Sequence, residues 1–301
     1  MPTMAILTPQ QMLERGLQHL GVTPEEWGRR CQRTNEEDFS THFGPTPLVV
    51  ANLWERLQTT TIVDARIDPQ KHHVKDFLTA MHWLKIYPKE RERKISIKVG
   101  RDSGRKWSWF YAKRIGLLKD DLIVWPDSWD TTFTVTVDGV HFRIKEPGDK
   151  KYKFVKGVFS HKFGSAGLDY EIAISIFTQQ VVHIAGPFRA GRGDLDIFRE
   201  EGLMAKIPEG HFVVADRGYR GEPGIIRIKN ALDDEEVAVF KAEGLARQET
   251  FNSRLQRYAI LQERFRSNME NEEFEKHGIA FYAVAMICQL EMMHGAPLFD
   301  V

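Results

Sequence analysis

Three acidic residues in three unlike settings carry the chemistry this sequence suggests. They are Asp138 in TVTVDGVHF, Asp216 in HFVVADRGYRG and Glu249 in ARQETFNSRL. The first two close apolar, β-rich runs, and the third lies in a helix-compatible segment. Carboxylate oxygens suit hard dications such as Mg²⁺ or Mn²⁺. A pair of such ions about 4 Å apart clamps both the attacking and the leaving oxygen of a phosphodiester. Three carboxylates on two strand ends and one helix therefore point to strand cutting of nucleic acid. DG and DRG also make ordinary turns, in which glycine supplies unusual backbone angles, so each acid alone has a structural reading too.

These residues need a scaffold. The segment ARQETFNSRLQ places Glu249, Asn252, Ser253 and Gln256 at i, i+3, i+4 and i+7, on one polar helix face. Phe251, Leu255 and Tyr258 form the opposing apolar stripe. TTFTVTVDGVHFRI alternates like a strand, and YEIAISIFTQQVVHIAGPF reads as two strands around a turn near Thr178–Gln180. HFVVAD reads as a short strand covered on both faces, and GIIRI as a further strand. The helical pattern then runs from about Val237 to Phe265, and FYAVAMICQLEMM predicts a final buried helix.

The first 130 residues read differently. TPQQMLERGLQHLG has helical spacing with Gly21 to end it, and Thr23 with Glu26 predicts a capping box. LVVANLWERLQ (apolar at Leu48, Ala51, Leu53 and Leu57), KDFLTAMHWLKIYP and GRKWSWFYAKRIGLL continue the helices. A boundary near residue 130 thus separates a helical region, 1–130, from an α/β region, 131–301.

Composition narrows the class. The chain of 301 residues is 42% apolar and 28% charged, an ordinary globular composition. Its two cysteines, Cys31 and Cys288, exclude a cysteine-rich zinc module and fit a reducing compartment. No signal-peptide pattern or apolar run of membrane-spanning length is present, so a soluble protein without a membrane partner is expected. The formal net charge is zero, but residues 89–114 hold ten Lys/Arg against Glu90, Glu92 and Asp102. Within that block Lys98, Arg101, Arg105, Lys106, Lys113 and Arg114 are the candidate DNA-phosphate contacts, set against the reading of a solvated face. Trp107, Trp109 and Phe110 among them read as helix core rather than base-stacking platforms. The pair His72–His73 reads as surface.

In combination, the blocks VDGVHFRI, YKFVKGVFSHKFGSAGLDYEIAISI, IAGPFRAGRGDLDIF, VVADRGYRG and ARQETFNSRL resemble the DDE-type transposases of the PIF/Harbinger group and their domesticated nuclease-like relatives. The resemblance spans roughly residues 40–301 and is strongest from 137 onward. It implies an RNase H-like catalytic domain, a mixed five-stranded sheet with flanking helices, preceded by a mainly α-helical N-terminal region related to helix-turn-helix DNA readers. It implies a first catalytic Asp on the first strand, a second after the fourth strand and a Glu on a following helix. Asp138, Asp216 and Glu249 would then be the metal-binding catalytic triad of a two-metal Mg²⁺ or Mn²⁺ endonuclease that cuts DNA at transposon ends and joins strands. Two other readings are a catalytically silent DNA-binding or interaction protein on the same fold, and a generic RNase H-like nuclease.

Asp194 matches a loop in which the family has a recurring acid, and Asp196 reads as a helix-start residue. Arg217 and Arg220 either reach a scissile phosphate or pair structurally, and Arg247 and Arg254 carry the same two readings. Asn252 joins Asp194 and Arg217 as a candidate accessory residue, and His141 reads as packed or hydrogen-bonded rather than ligating. The resemblance also implies a separate Myb-like DNA-binding partner, and nuclear localisation if the host is eukaryotic. A homo-oligomer is a further expectation.

Overall fold

The computed structural model describes residues 6–145, 158–160, 162–266 and 272–301, with the side chains of 272 and 273 left out. Residues 152–157 and 161 of the block YKFVKGVFSHKFGSAGLDYEIAISI therefore lie outside the described residues. The chain divides into two compact units, one of residues 1–120, 255–262 and 279–296, the other of residues 121–254, 263–278 and 297–301.

The first unit is helical. It holds α1 (Pro9–His19), α2 (Pro24–Arg29), α3 (Gln32–Phe43), α4 (Pro47–Thr59), α5 (Val74–Ile86), α6 (Glu90–Ser96) and α7 (Arg101–Leu117), followed by the single turn α8 (Lys119–Leu122). Thr8 caps α1 by accepting from the Gln11 N–H, and Thr23 caps α2 by accepting from the Glu26 N–H. In each case the side chain three residues on accepts the cap residue's own N–H, so the capping box expected at Thr23 forms and a second one forms at Thr8. In α4 the buried face is Val49, Val50, Ala51, Leu53, Trp54 and Leu57. Leu48, expected on that face, is exposed, since it lies between the buried Pro47 and Val49 on the solvent side of the helix. His72, expected at the surface, is half-buried with its ring 4.8 Å from Phe110. His73 is exposed.

The second unit is an α/β layer. Its strands are β1 (Phe133–Arg143), the two-residue β2 (Phe159–Ser160), β3 (Ser165–Ser175), β4 (Val181–Arg189), β5 (Phe212–Ala215) and β6 (Ile226–Ile228). Five of them run in the order β4-β3-β1-β5-β6, and β2 pairs with the start of β3. β1 is antiparallel to β3 and parallel to β5, β3 is antiparallel to β4, and β5 is parallel to β6. This is the mixed five-stranded RNase H-like sheet. The helices of the chain beyond β4 are α9 (Asp194–Glu200), α10 (Glu235–Gln256), α11 (Ala259–Gln262) and α12 (Glu272–His294).

Two sequence expectations are corrected here. The helical run does not reach Phe265: α10 stops at Gln256, and Phe265 bridges to Ile144 as extended chain. Asp138 does not close its strand. β1 continues through Gly139, Val140 and His141 to Arg143, because these residues keep pairing with β3.

Alternation assigns the two faces of β1 and β3. Asp138 lies opposite Ile172, whereas Gly139 lies opposite Glu171 and His141 opposite Asp169. Cross-strand partners share a face and neighbours alternate, so Asp138 points one way and Gly139, His141, Asp169 and Glu171 the other. α10 covers the Asp138 face: Gln248 accepts from Thr136 Oγ1 at 2.8 Å, and Asn252 donates to Asp138. On the opposite face Val135, Val137 and Ala173 join Phe198 of α9, Leu203 and Tyr219 in one apolar cluster.

Candidate active site

Asp138 is held by its strand and by one helix. Its Oδ2 accepts a 2.7 Å hydrogen bond from Asn252 Nδ2, so the residue placed by sequence on the Glu249 face fixes the first Asp. Asn252 is 4% exposed, while Glu249 one turn earlier is exposed. Asp216 follows β5, is exposed, and accepts the Gly218 N–H on Oδ1 at 2.7 Å. That bond turns the backbone after the strand and leaves the other oxygen available.

The three carboxylates feel one another. Burial pushes the Asp138 carboxyl up to about 7, and the charges of Glu249, Asp216 and Asp194 push the same way against the opposing Lys162. Asp194, the first residue of α9, is also raised, by burial and then by Asp216. It occupies the space between the strands. A Cβ on Gly139 would stand 2.8 Å from Asp194 Oδ1, and one on Gly218 would stand 2.5 Å from Asp194 Oδ2 and 3.0 Å from Asp216 Oδ1. The glycines of the DG and DRG motifs are thus needed for room and not for backbone angle, since neither Gly139 nor Gly218 has a positive φ. Asp196 lies in the first turn of α9, as its sequence position suggested.

Two residues absent from the sequence reading belong to this neighbourhood. Asp169 and Glu171 on β3 are buried at 0% and 1% exposure. Burial, then Asp194, lifts Asp169 to about 7; burial, then Asp169 and Asp194, lifts Glu171 to about 8. His141 donates to or accepts from Ser160 Oγ through Nδ1 at 3.3 Å, and its Nε2 lies 3.7 Å from Asp169 Oδ2. Burial holds this imidazole below the usual histidine range. Repelling, partly buried carboxylates with one exposed side and little compensating positive charge are the donor set that a hard dication satisfies. The carboxylates around Asp138 have the chemistry of divalent-metal ligands, but among the described residues the group whose ligand atoms all lie within 4.8 Å of one another is His141, Asp169 and Asp194. Asp138, Asp216 and Glu249 form no such group and are linked by their charges acting on Asp138.

The arginines separate. Arg217 and Arg220 are exposed beside Asp216. Arg247 is 2% exposed and donates to three backbone carbonyls, those of Phe299 at 3.0 Å, Thr178 at 2.6 Å and Ser175. Of its two sequence readings the structural one holds. Arg247→Met is expected to destabilise the protein by about 3 kcal/mol or more, read by urea unfolding, because three buried carbonyls lose a charged donor. A change under about 1 kcal/mol would show that the contacts add little. Arg254 donates to the Pro297 carbonyl at 3.2 Å.

Comparison with known proteins gives a class. The profile of the DDE superfamily endonuclease family matches residues 137–290, about half of the chain. The chain belongs to this family of nuclease-type hydrolases, which generally use divalent metals. No curated protein and no solved structure matches it. Among the described residues no helix is long and apolar enough to cross a membrane.

Proposed function

We propose that the protein is a metal-dependent DNA endonuclease of the transposase type, with Asp138, Asp216 and Glu249 as the metal-binding catalytic residues. The observation that carries this reading is Asp138: a carboxylate fixed by Asn252, half-buried, and crowded by the charges of Glu249 and Asp216. The sequence blocks around the triad favour the PIF/Harbinger type, with cleavage at transposon ends and strand joining as the reaction. Mg²⁺ or Mn²⁺, when bound, supplies an activated nucleophile and neutralises the leaving 3′ oxygen. The chain's own part is to hold three oxygens in place. Asn252 orients Asp138, the Gly218 N–H orients Asp216, and α10 carries Glu249. We assign exposed Arg217, beside Asp216, a contact with a phosphate.

DNA affinity is assigned to residues 1–130, and catalysis to residues 131–301. Lys98, Arg101, Lys106 and Lys113 are exposed, although Arg101 pairs with Asp102 at 3.2 Å and Lys106 Nζ lies 4.4 Å from the Trp107 ring centre, both at the surface. Arg105 is exposed but pairs with Glu90 at 2.5 Å, and Arg114 lies with its guanidinium 3.6 Å from the Phe110 ring centre. We assign Lys98, Arg101, Lys106 and Lys113 as the leading phosphate contacts and Arg105 and Arg114 as weaker ones. Each lysine-to-alanine change is expected to lower the slope of log K against log salt by about one and to weaken all DNA sequences alike. Unchanged slopes for all of them would move DNA binding elsewhere. A Myb-like partner, a homo-oligomer and a nuclear location complete the proposal, the partner because the chain is neutral overall.

The deciding experiment offers DNA carrying candidate element ends to the protein with Mg²⁺, with Mn²⁺, or with chelator. Nicking that needs the metal and is lost in Asp216→Ala supports the reading. Equal cleavage by both proteins, or none by either across a fair range of ends, sinks it.

A further inference from the structure

On the sheet face opposite Asp138, a second group of ligand-type atoms converges. One ligand atom each from His141, Asp169 and Asp194 lies within 4.8 Å of the others. The cross-strand register brings His141 directly opposite Asp169, and the start of α9 delivers Asp194. Gly139 on the same face leaves the space open, since a Cβ there would meet Asp194 Oδ1 at 2.8 Å and Asp169 Oδ1 at 3.5 Å.

The decisive member is Asp169. Its side chain is 0% exposed, and neither carboxylate oxygen has a hydrogen-bond partner among the described residues. A buried carboxylate without donors costs several kcal/mol unless a proton or a cation compensates it. The Tyr170 N–H and the Lys162 charge offset only part of the burial of Asp169, His141 Nε2 lies at 3.7 Å, beyond hydrogen-bond reach, and burial disfavours the charged imidazolium. If Nδ1 donates its hydrogen to Ser160, Nε2 presents a lone pair to the same space. Three electron-rich atoms then face one point, with the positive charge of Lys162 near enough to act on all three residues.

We propose that His141, Asp169 and Asp194 form a divalent-cation site separate from the Asp138–Asp216–Glu249 set. One imidazole with two carboxylates selects a transition metal of the Mn²⁺, Co²⁺ or Zn²⁺ type over Mg²⁺, because nitrogen donors suit the softer ions. His141 and Asp194 are partly exposed, which leaves a route for the ion and open positions for water. Asp194 faces Asp216 through its other oxygen, past Gly218, so a cation here lowers the negative charge beside the proposed catalytic set. Its role is structural and electrostatic. The site stands whether or not the protein cuts DNA.

Mn²⁺ titration followed by electron paramagnetic resonance tests this, on full-length protein carrying Asp216→Asn and Glu249→Gln to weaken the other set. That protein is expected to retain one bound Mn²⁺. Adding His141→Gln or Asp169→Asn is expected to weaken it at least about 10-fold, with thermal melts confirming that each variant folds. Gly139→Ala, which leaves all three ligands in place, is expected to weaken it as well. Co²⁺ is expected to give a paramagnetically shifted imidazole N–H signal that His141→Gln removes. No Mn²⁺ bound by the Asp216→Asn/Glu249→Gln protein, or binding equal in the His141→Gln and Asp169→Asn variants, would overturn the site. The first outcome would mean that a proton, not a metal, compensates Asp169. Loss of nicking in the assay above bears only on catalysis and leaves this result unaffected.

Discussion

Asp138→Asn, Asp216→Ala and Glu249→Gln are each expected to lower Mg²⁺-dependent nicking by about 10³-fold or more, with the protein still folded. Each change removes a charged oxygen from a site where a dication is expected to contribute several kcal/mol of transition-state stabilisation, and every 1.4 kcal/mol is about tenfold in rate. The three act through the same ions, so a double variant is expected to be hardly worse than a single one. Stability separates this loss from unfolding. Asp138 is half-buried and repelled by Glu249 and Asp216, so Asp138→Asn relieves the crowding, and its amide oxygen still accepts from Asn252. That variant is expected to melt at or above the wild-type temperature in chelator. Asn252→Ala is expected to cost less, about tenfold in rate, because Asn252 positions Asp138 without meeting the metal. Any triad variant retaining more than about a tenth of the wild-type rate would remove that carboxylate from the catalytic set.

The site was legible in the sequence to the extent that chemistry is local. The capping threonines, the β-branched run around Asp138 and the i, i+3 link from Glu249 to Asn252 all rest on neighbours in the chain. Their positions follow from periodicity, and Asn252 does reach the first Asp. Asp138 was placed at a strand end because DG usually marks a turn. The long pairing with β3 overrides that preference and carries the strand five residues further. Asp169 and Glu171 escaped for a different reason. In LDYEIAIS they alternate with apolar residues, which reads as a strand with one solvated face. β3 is flanked by β1 and β4 and covered on both faces, so the nominally wet face is buried. Only the placement of α9, far along the chain, makes those acids unusual. Arg247 escaped similarly, since its partners Ser175, Thr178 and Phe299 are distant in sequence.

Without metal, the folded protein is expected to lose several kcal/mol of stability between about pH 6.5 and 8.5. The carboxyls of Asp138, Asp169 and Glu171 ionise near 4 in the unfolded chain, but at about 7, 7 and 8 in the folded one. Between those limits the folded state holds protons that the unfolded state has released, so stability falls as pH rises, and the full cost is present above about 8. Buried histidines work in the opposite sense. His19 and His183 are lowered to about 4, and His82 and His277 to about 3, each mainly by burial. The unfolded chain protonates them below about 6.5 while the folded one keeps them neutral, so their stabilisation is lost as pH falls through the acid range. From about pH 4.5 to 6.5 the two slopes oppose each other. Above 6.5 only the carboxylates titrate, at up to about 1.4 kcal/mol per proton per pH unit. Urea unfolding in chelator at pH 6.5, 7.5 and 8.5 reads this directly. Mn²⁺ is expected to remove the part of the alkaline loss that Asp138 and Asp169 contribute, by binding their ionised forms in the folded state, and to leave the Glu171 part. Glu171→Gln is expected to shallow the slope without affecting nicking, because Glu171 is placed in neither metal set. A chelated protein whose stability is flat or rises from pH 6.5 to 8.5 would mean that these acids are compensated within the fold itself. In that case the carboxylate crowding would no longer argue for a cation.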